Sequence, residues 1–514
     1  MSSVSPDTQA PIRRDEAALA VLFVAVAIAC QAWHPLWLGF YHDDWALFVQ
    51  PRLHPQDFHF LGTWHLDRPG YSIFSKLMLT LWDGRTTTFH LVKIAINLAT
   101  AGAIAWTCLV YQKSFAARSI ALAASAAAFW LVAPWSLGYS LWPTAAFTNS
   151  SVLFLCVAAI VLARWTERGK LAFLVLAVAA FGVSVFIYQS AWLGIFPFAL
   201  ALLWRAWREG RALRPLVIAF LVLGAVQLAS AIVAWLYSTK TPNPHVFALF
   251  RANLKQTAHL GVEAFGATGN AWLTGGVAMA AIVAAVLLWR RGGPARTRSA
   301  AALMLMLTGL IGTSAVYASA SYGIATTGLF SRTTQMVDFW LAVGGAILFA
   351  PAPADKGAYR YIGLAQSLVV VGFCALAYWP AARPWVRSWQ LQQAILARTA
   401  PLADALREGD AVLCDVPMKL DGITVFGAPW DITGGVLVRN ADRRPDLAHT
   451  FPRIQIIPPL DLDMSWTPGT FTIAPGWTVP AKRLLVWHWQ SGKISAVDHP
   501  VTSRAGLVAL LQAN

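Results

Sequence analysis

Residues 17–44 read AALAVLFVAVAIACQAWHPLWLGFYHDD. From 17 to 40 no Asp, Glu, Lys or Arg interrupts the run, and then two aspartates, Asp43 and Asp44, stand side by side. A helix that crosses a bilayer needs about 20 apolar residues, so this stretch spans a membrane and ends on a pair of carboxylates. It is longer than a signal-peptide core and no small-x-small cleavage site closes it, which reads as an uncleaved anchor. Ten further apolar runs follow at 89–111, 119–141, 150–163, 171–187, 190–204, 216–237, 271–289, 299–318, 334–350 and 361–379. Only Tyr188 and Gln189 separate the two runs at 171–187 and 190–204.

Composition agrees. The 514 residues are 57% hydrophobic and 12% charged, about half the charged fraction of an ordinary soluble chain. The expected fold is an all-α polytopic membrane protein of about eleven spans (residues 1–380), followed by a small extracytoplasmic α/β domain (residues 381–514). Alternate connections divide the basic residues unevenly. One side holds Arg13, Arg14, Lys113, Arg118, Arg164, Arg168, Lys170, Arg205, Arg208, Arg211, Arg214, Arg290, Arg291, Arg296, Arg298, Lys356 and Arg360 in short loops. The other holds roughly half as many in longer loops. The positive-inside rule makes the first side cytoplasmic, together with the N-terminus, and the C-terminal domain then lies outside the inner membrane, in the periplasm. The net charge of +15 is mostly this topology signal, and nothing in it calls for nucleic acid.

Three stretches outside the spans are long enough to act. In 41–88, Tyr71, Phe74, Met78 and Leu81 recur at helical spacing and predict a short interfacial helix. In 238–270, Phe247, Phe250, Leu254 and Phe265 form an apolar face, and Arg251, Lys255 and His259 a basic stripe at i, i+4 and i+8. That stripe suits anionic headgroups or a substrate. Beyond 380, an amphipathic helix is expected at 385–406, strands in DAVLCDVP and GITVFGAPW, and a hairpin in RLLVWHWQSGKISAV turning at Ser491-Gly492. Cys414 is the one cysteine there, so that domain has no internal disulfide. Asp461-Leu462-Asp463 reads as a surface loop.

Carboxylates at a membrane boundary are costly unless they have partners or a task, although from position alone Asp43 and Asp44 could also start a solvated loop or cap a helix at 45–50. In context, the pair, the Arg68-Pro69 element later in the same loop, and Arg332 at the end of a late span resemble the GT-C superfamily of polytopic membrane glycosyltransferases, of the aminoarabinose transferase or protein O-mannosyltransferase type. Such enzymes take sugars from polyprenyl-phosphate donors. The resemblance implies Asp43 as general base, Asp44 as its partner or an acceptor ligand, and Arg332 and Arg68 as cations for the donor phosphate. Where that superfamily often has an acidic residue in the turn between middle spans, this chain has Tyr188-Gln189.

The residues lead to the same chemistry. No cytoplasmic connection is long enough for a nucleotide-binding domain, so an activated sugar would arrive in the membrane on a lipid phosphate. A carboxylate would take the acceptor proton, cations would stabilise the departing phosphate, and attack from the opposite face would invert the anomeric centre. Further candidates for substrate or lipid contact are His42, Lys93, Tyr188, Gln189, Arg251, Lys255 and His259. No metal cofactor is expected, since His42, His54, His59 and His65 are spaced by 12, 5 and 6, which matches no compact motif; the alternative is that they ligate a divalent metal together with Asp43, Asp44 and Asp67, as some members of that superfamily require. The acceptor is a lipid, glycan or protein. The rival readings are a transporter or lipid flippase, a polysaccharide polymerase or ligase, and a non-catalytic assembly protein. Transporters place charge at the bilayer midplane, whereas Lys93, Arg332 and Asp338 lie toward span ends.

Overall fold

The apolar run at 17–40 forms helix α1 (Arg14–Ala32) and, after Trp33, the short α2 (His34–Trp37), with Pro35 in its first turn. The computed structural model describes residues 14–45, 67–73, 85–115, 118–135, 137–237, 244–266, 286, 294–351, 359–450, 453–474 and 476–512. The remaining helices of the bundle are α3 (Thr86–Phe115), α4 (Ile120–Val132), α5 (Leu137–Leu141), α6 (Pro143–Arg168), α7 (Leu171–Ile187), α8 (Ile195–Arg208), α9 (Arg214–Tyr237), α10 (Val246–Gly266), α11 (Pro294–Ser319), α12 (Gln335–Leu348) and α13 (Tyr359–Leu396). Ten of the eleven expected spans coincide with these helices; the run at 271–289 lies outside the described residues, Val286 apart. Among the described residues seven helices are long and apolar enough to cross a membrane, and α4 and α7 are shorter apolar ones. The protein is a multi-pass membrane protein.

Several ends differ from expectation for identifiable reasons. The run at 119–141 breaks after Val132 because Pro134 cannot continue a helix and disfavours helical backbone in the residue before it. A separate short helix, α5, follows. Expected from 150, α6 begins at Pro143, in the first-turn position proline favours, and ends at Gly169 with φ 68°. Its first turns carry Thr144, Thr148, Asn149, Ser150 and Ser151, and the polarity before residue 150 hides the start of the helix in the sequence. All five are buried. Asn149 donates to Asn97 Oδ1 at 2.6 Å, and Ser184 to the Ser151 carbonyl at 2.6 Å. The two runs around Tyr188-Gln189 are two helices, parted by a 3₁₀ turn at Gln189–Ala191.

A chain of buried polar groups ties α1, α2, α3, α5, α6, α12 and α13 together. Gln31 donates to Ser140 (3.0 Å) and to Tyr378 (3.2 Å), His34 Nε2 lies 2.9 Å from the Tyr378 hydroxyl, and Lys93 Nζ lies 3.1 Å from His34 Nδ1. Asp338 accepts from Trp135 Nε1 at 2.9 Å and Tyr139 OH at 3.1 Å. Where no water reaches, such groups must bond each other. Lys93 is 1% exposed and lies inside the bundle, its Nζ also donating to the Leu141 carbonyl at 3.3 Å.

The helix expected at 385–406 is no separate element. α13 runs 38 residues from the last span straight through Pro380 and Pro384, so the domain boundary expected at 380 falls inside a helix. α14 (Ala400–Ala405) follows a turn. Strand β1 (Asp410–Cys414) forms as expected, but GITVFGAPW contributes only β3 (Ile423–Thr424), paired with β2 (Lys419–Leu420). Pro429 then starts helix α15 (Pro429–Arg439), because proline has no N–H for a sheet ladder yet suits a first helical turn. Next come β4 (Gln455–Ile457), an antiparallel sheet of β5 (Ser465–Thr467), β6 (Gly469–Ala474) and β7 (Trp477–Ala481), then β8 (Arg483–Trp487), β9 (Ile494–Val497) and α16 (Arg504–Gln512). The main sheet has the order β4-β1-β8-β9, with β9 alone antiparallel to its neighbour. The hairpin turns at Ser491-Gly492 as expected, Gly492 having φ 73°. Asp461-Leu462-Asp463 is an exposed loop.

The two regions share a core. Phe40, Trp45, Tyr71 and Phe89, from the first loop and the start of α3, pack in one buried cluster with Val412, Cys414, Ile432, Val436 and Trp487 of the α/β domain.

The interfacial helix expected around Tyr71 begins at residue 69 and leaves the described residues after 73; Phe74, Met78 and Leu81 lie outside them. α10 docks through Asn253, which donates to the Tyr322 carbonyl (3.1 Å) and accepts from Ile324 N–H (2.9 Å). Phe247, expected on its apolar face, is 87% exposed: it falls one turn before Arg251 and lies on the basic stripe instead.

Candidate active site

The acidic pair sits in a tight turn that splits its two carboxylates. His42 has φ 47°, a left-handed conformation that His adopts more readily than most residues, and Asp44 N–H closes on the Tyr41 carbonyl at 3.1 Å. The loop is stitched to the end of α13: Tyr41 OH donates to the Trp385 carbonyl (2.8 Å), Trp45 Nε1 to Gln392 Oε1 (2.9 Å), and Gln392 Nε2 to the Phe40 carbonyl (2.9 Å). Gly39 is required here, since a Cβ at that position would overlap the Trp389 ring.

Asp44 turns inward and is 3% exposed. It accepts from Tyr41 N–H (2.8 Å), Thr144 N–H (3.0 Å) and the Thr144 hydroxyl. Burial pushes its carboxyl up to about 7, against the pull of the Thr144 and Tyr41 hydrogen bonds. These bonds tie the first loop to the start of α6.

Asp43 points the other way and its side chain is 43% exposed. Trp430 Nε1 donates to its Oδ1 at 3.2 Å, and His42 Nε2 lies 3.4 Å from the same oxygen. Among the described residues no hydrogen bond or ion pair engages Oδ2. On its far side, His42 Nδ1 meets Asp431 Oδ2 at 3.0 Å, and that oxygen also accepts from Gly427 N–H at 2.9 Å. The imidazole lies between the rings of Trp142 and Trp430, 6.0 Å from each. Burial alone would lower the His42 pKa, but the hydrogen bond and charge of Asp431, with Asp43, reverse it and carry it up to about 9.

Arg332 lies in a 3₁₀ segment, Leu329–Thr334, just before α12. This segment packs on α5 so closely that a Cβ on Gly138 would collide with Arg332 N, and Gly138 N–H donates to Ser331 Oγ at 2.7 Å. The guanidinium stacks 4.6 Å over Trp142, with Phe330 and Tyr322 near 6 Å, and its buried Nε has no hydrogen-bond partner among the described residues. Arg68 stands beside Tyr71 (5.5 Å) and Tyr188 (5.6 Å), its Nε donating to Asp67 Oδ2 at 3.1 Å. Gln189 Nε2 approaches the same carboxylate at 3.5 Å. Asp43, Arg68, Tyr188 and Tyr322 all act electrostatically on Arg332.

The structure therefore gathers His42, Asp43, Arg68, Tyr188, Gln189 and Arg332 at one end of the bundle. Arg251, Lys255 and His259 are exposed on α10, and among the described residues no hydrogen bond, ion pair or ring contact joins them to this group. The sequence reading missed Asp431, Trp430, Trp142 and Tyr322. His42, Asp43 and Asp431 offer ligand atoms within 4.8 Å of one another and are the set among the described residues that could hold a metal ion. His54, His59 and His65 lie outside the described residues.

Solved structures similar to this one include two of an archaeal enzyme. The Archaeoglobus fulgidus oligosaccharyltransferase in its apo form aligns at TM-score 0.44 and 11% identity, over 77% of this chain and 62% of that one. The same enzyme tethered by a disulfide bond to an acceptor peptide containing the NVT sequon aligns at TM-score 0.42 and 11% identity, over 83% and 63%. This chain thus spans about three fifths of the length of those structures. No protein-family model matches the sequence, and no curated protein does.

Proposed function

We propose that the protein is a membrane glycosyltransferase that moves a sugar from a polyprenyl-phosphate donor to an acceptor hydroxyl on the extracytoplasmic side. The observation that carries this reading is the pairing of a half-exposed carboxylate, Asp43, with two aromatic-flanked guanidinium groups, Arg332 and Arg68, at one end of a helical bundle. Such a bundle offers a lipid-borne substrate direct access from the membrane. Guanidinium groups bind phosphate through paired N–H donors, and Arg332 has a buried N–H to offer.

In the proposed reaction the acceptor oxygen attacks the anomeric carbon while the carbon–oxygen bond to phosphate breaks. The bonding pair leaves with the phosphate, where Arg332 and Arg68 offset the new charge. Asp43 Oδ2 takes the acceptor proton. In-line attack inverts the anomeric centre. Tyr188 and Gln189 line the same end and are proposed substrate contacts.

Lys113 and Arg164, both bridged to Glu167, mark the opposite end of the bundle. With Arg205, Arg208 and Arg211 they supply the basic bias of a cytoplasmic face. The proposed orientation in a cell inner membrane therefore has the N-terminus in the cytoplasm, and Asp43 and the α/β domain in the periplasm. The rival transporter reading finds less support: Lys93, His34 and Asp338 are buried and hydrogen-bonded within the bundle.

The test is transfer itself. Purified protein in sealed proteoliposomes, given radiolabelled polyprenyl-phosphate sugars and an envelope extract as acceptor, should move label from the lipid phase to the acceptor. Label that crosses the bilayer while staying on its polyprenyl carrier would support a flippase instead.

A further inference from the structure

We propose that Asp431, supplied by the α/β domain, is a positioning residue of the transfer site: it holds His42, and through His42 it fixes which oxygen of Asp43 faces the acceptor. The claim rests on the transferase reading above and adds a part to it from a domain to which the sequence assigns no role.

Two neighbouring side chains at the start of α15 converge on the acidic turn across 387 and 389 residues of sequence. Trp430 donates to Asp43 Oδ1 directly. Asp431 reaches the same oxygen through the imidazole, with its Oδ2 on Nδ1 and Nε2 facing Asp43 Oδ1. With the Trp430 hydrogen bond and the His42 ion pair both on Oδ1, the carboxylate is held in one rotation and Oδ2 is left for the proton. Without them a half-exposed aspartate on a loop would sample several rotamers, and an error of about 1 Å in a reacting group can cost about 10²-fold in rate.

Asp431 is itself placed with care. It is fully buried, it sits in the first turn of α15 where a carboxylate is favoured, and Gly427 N–H fixes the oxygen that meets His42. Its other oxygen, Oδ1, has no hydrogen-bond partner among the described residues. A buried carboxylate in a purely structural role is expected to use both oxygens, so the residue is kept at a cost that the His42 contact explains. The frame behind it is rigid: Ser388 of α13 donates to the Thr424 carbonyl at 2.8 Å, and Trp45 of the acidic loop lies in the same buried cluster as Ile432 and Val436 of α15. The α/β domain thereby forms one wall of the site.

The experiment is a double-mutant cycle in the full-length protein, with His42→Gln, Asp431→Asn and the pair, reading kcat, donor KM and the thermal unfolding midpoint. If Asp431 acts through His42, each single variant loses about 10–10²-fold in kcat with donor KM within about twofold, and the pair is no worse than either one. Trp430→Phe, which removes the hydrogen bond to Oδ1, should lose about 3–10-fold and shows the same split if Asp431→Asn does not fold. Wild-type kcat in folded Asp431→Asn, or losses that multiply in the pair, would overturn the proposal and leave the transferase reading standing. An inactive wild-type protein would overturn both.

Discussion

Arg332 and Asp44 separate chemistry from architecture among the charged residues. Arg332 is held by rings rather than by carboxylates, as suits a cation reserved for a substrate anion. Arg332→Ala should lose at least about 10²-fold in transfer while keeping its unfolding midpoint, and Arg332→Lys should restore only part, since an ammonium cannot bind two oxygens side by side. Asp44→Asn should do the reverse: with one oxygen kept toward Thr144, its NH₂ replaces the oxygen that accepts from Tyr41 N–H, so the expected loss is about 1–3 kcal/mol in stability with turnover per folded molecule nearly kept. Chemical denaturation alongside kinetics distinguishes the two. His42 adds a pH dependence. Its folded pKa of about 9 lies above the ordinary 6.5, so the proton-linked stability of the His42–Asp431 contact is fully present below 6.5 and is lost as pH rises through 9. The unfolding midpoint should fall over that window in the wild type and stay flatter in His42→Gln. The acidic pair was visible in the sequence, but the opposite facing of its members was not, because it depends on the left-handed backbone of His42 and on Thr144 a hundred residues away.

The helices were legible wherever apolar residues run without interruption, as in α1, α7 and α9. They were misread where tertiary partners rewrite the pattern: Thr144 to Asn149 look like a loop and form the first turns of α6, because Asn97, Asp44 and their neighbours supply the missing hydrogen bonds. α13 was read as two elements because the sequence turns polar midway; its second half is covered by the α/β domain instead of lipid. Gly138 tests the packing of α5 on the Arg332 segment. A Cβ there collides with the backbone of Leu329 and Arg332, so Gly138→Ala should displace the guanidinium. It should raise donor KM at least as strongly as it lowers stability, by about 1–3 kcal/mol. An alanine variant with unchanged donor KM and midpoint would contradict the packing.

Across the whole molecule, the membrane bundle and the α/β domain meet at the acidic loop and share a hydrophobic core there. Nothing in the sequence marks that junction: Pro429-Trp430 reads as the end of a strand, and the contact of Asp431 with His42 exists only after the domain folds back. The orientation predicts that cysteines placed at Lys113 and Arg211 label only from the cytoplasm, and those at Arg251 and Asp421 only from outside. Labelling at 251 from the cytoplasm alone would invert the topology and remove the proposed substrate from the site. The most direct measurement, though, is of turnover in Asp43→Asn with donor binding followed in parallel. Asparagine keeps the size of the side chain and the oxygen that Trp430 and His42 hold, but cannot take a proton. The account predicts a fall of about 10²–10⁴-fold in sugar transfer, with polyprenyl-phosphate binding and the unfolding midpoint near wild type. Transfer at the wild-type rate by folded Asp43→Asn would contradict it.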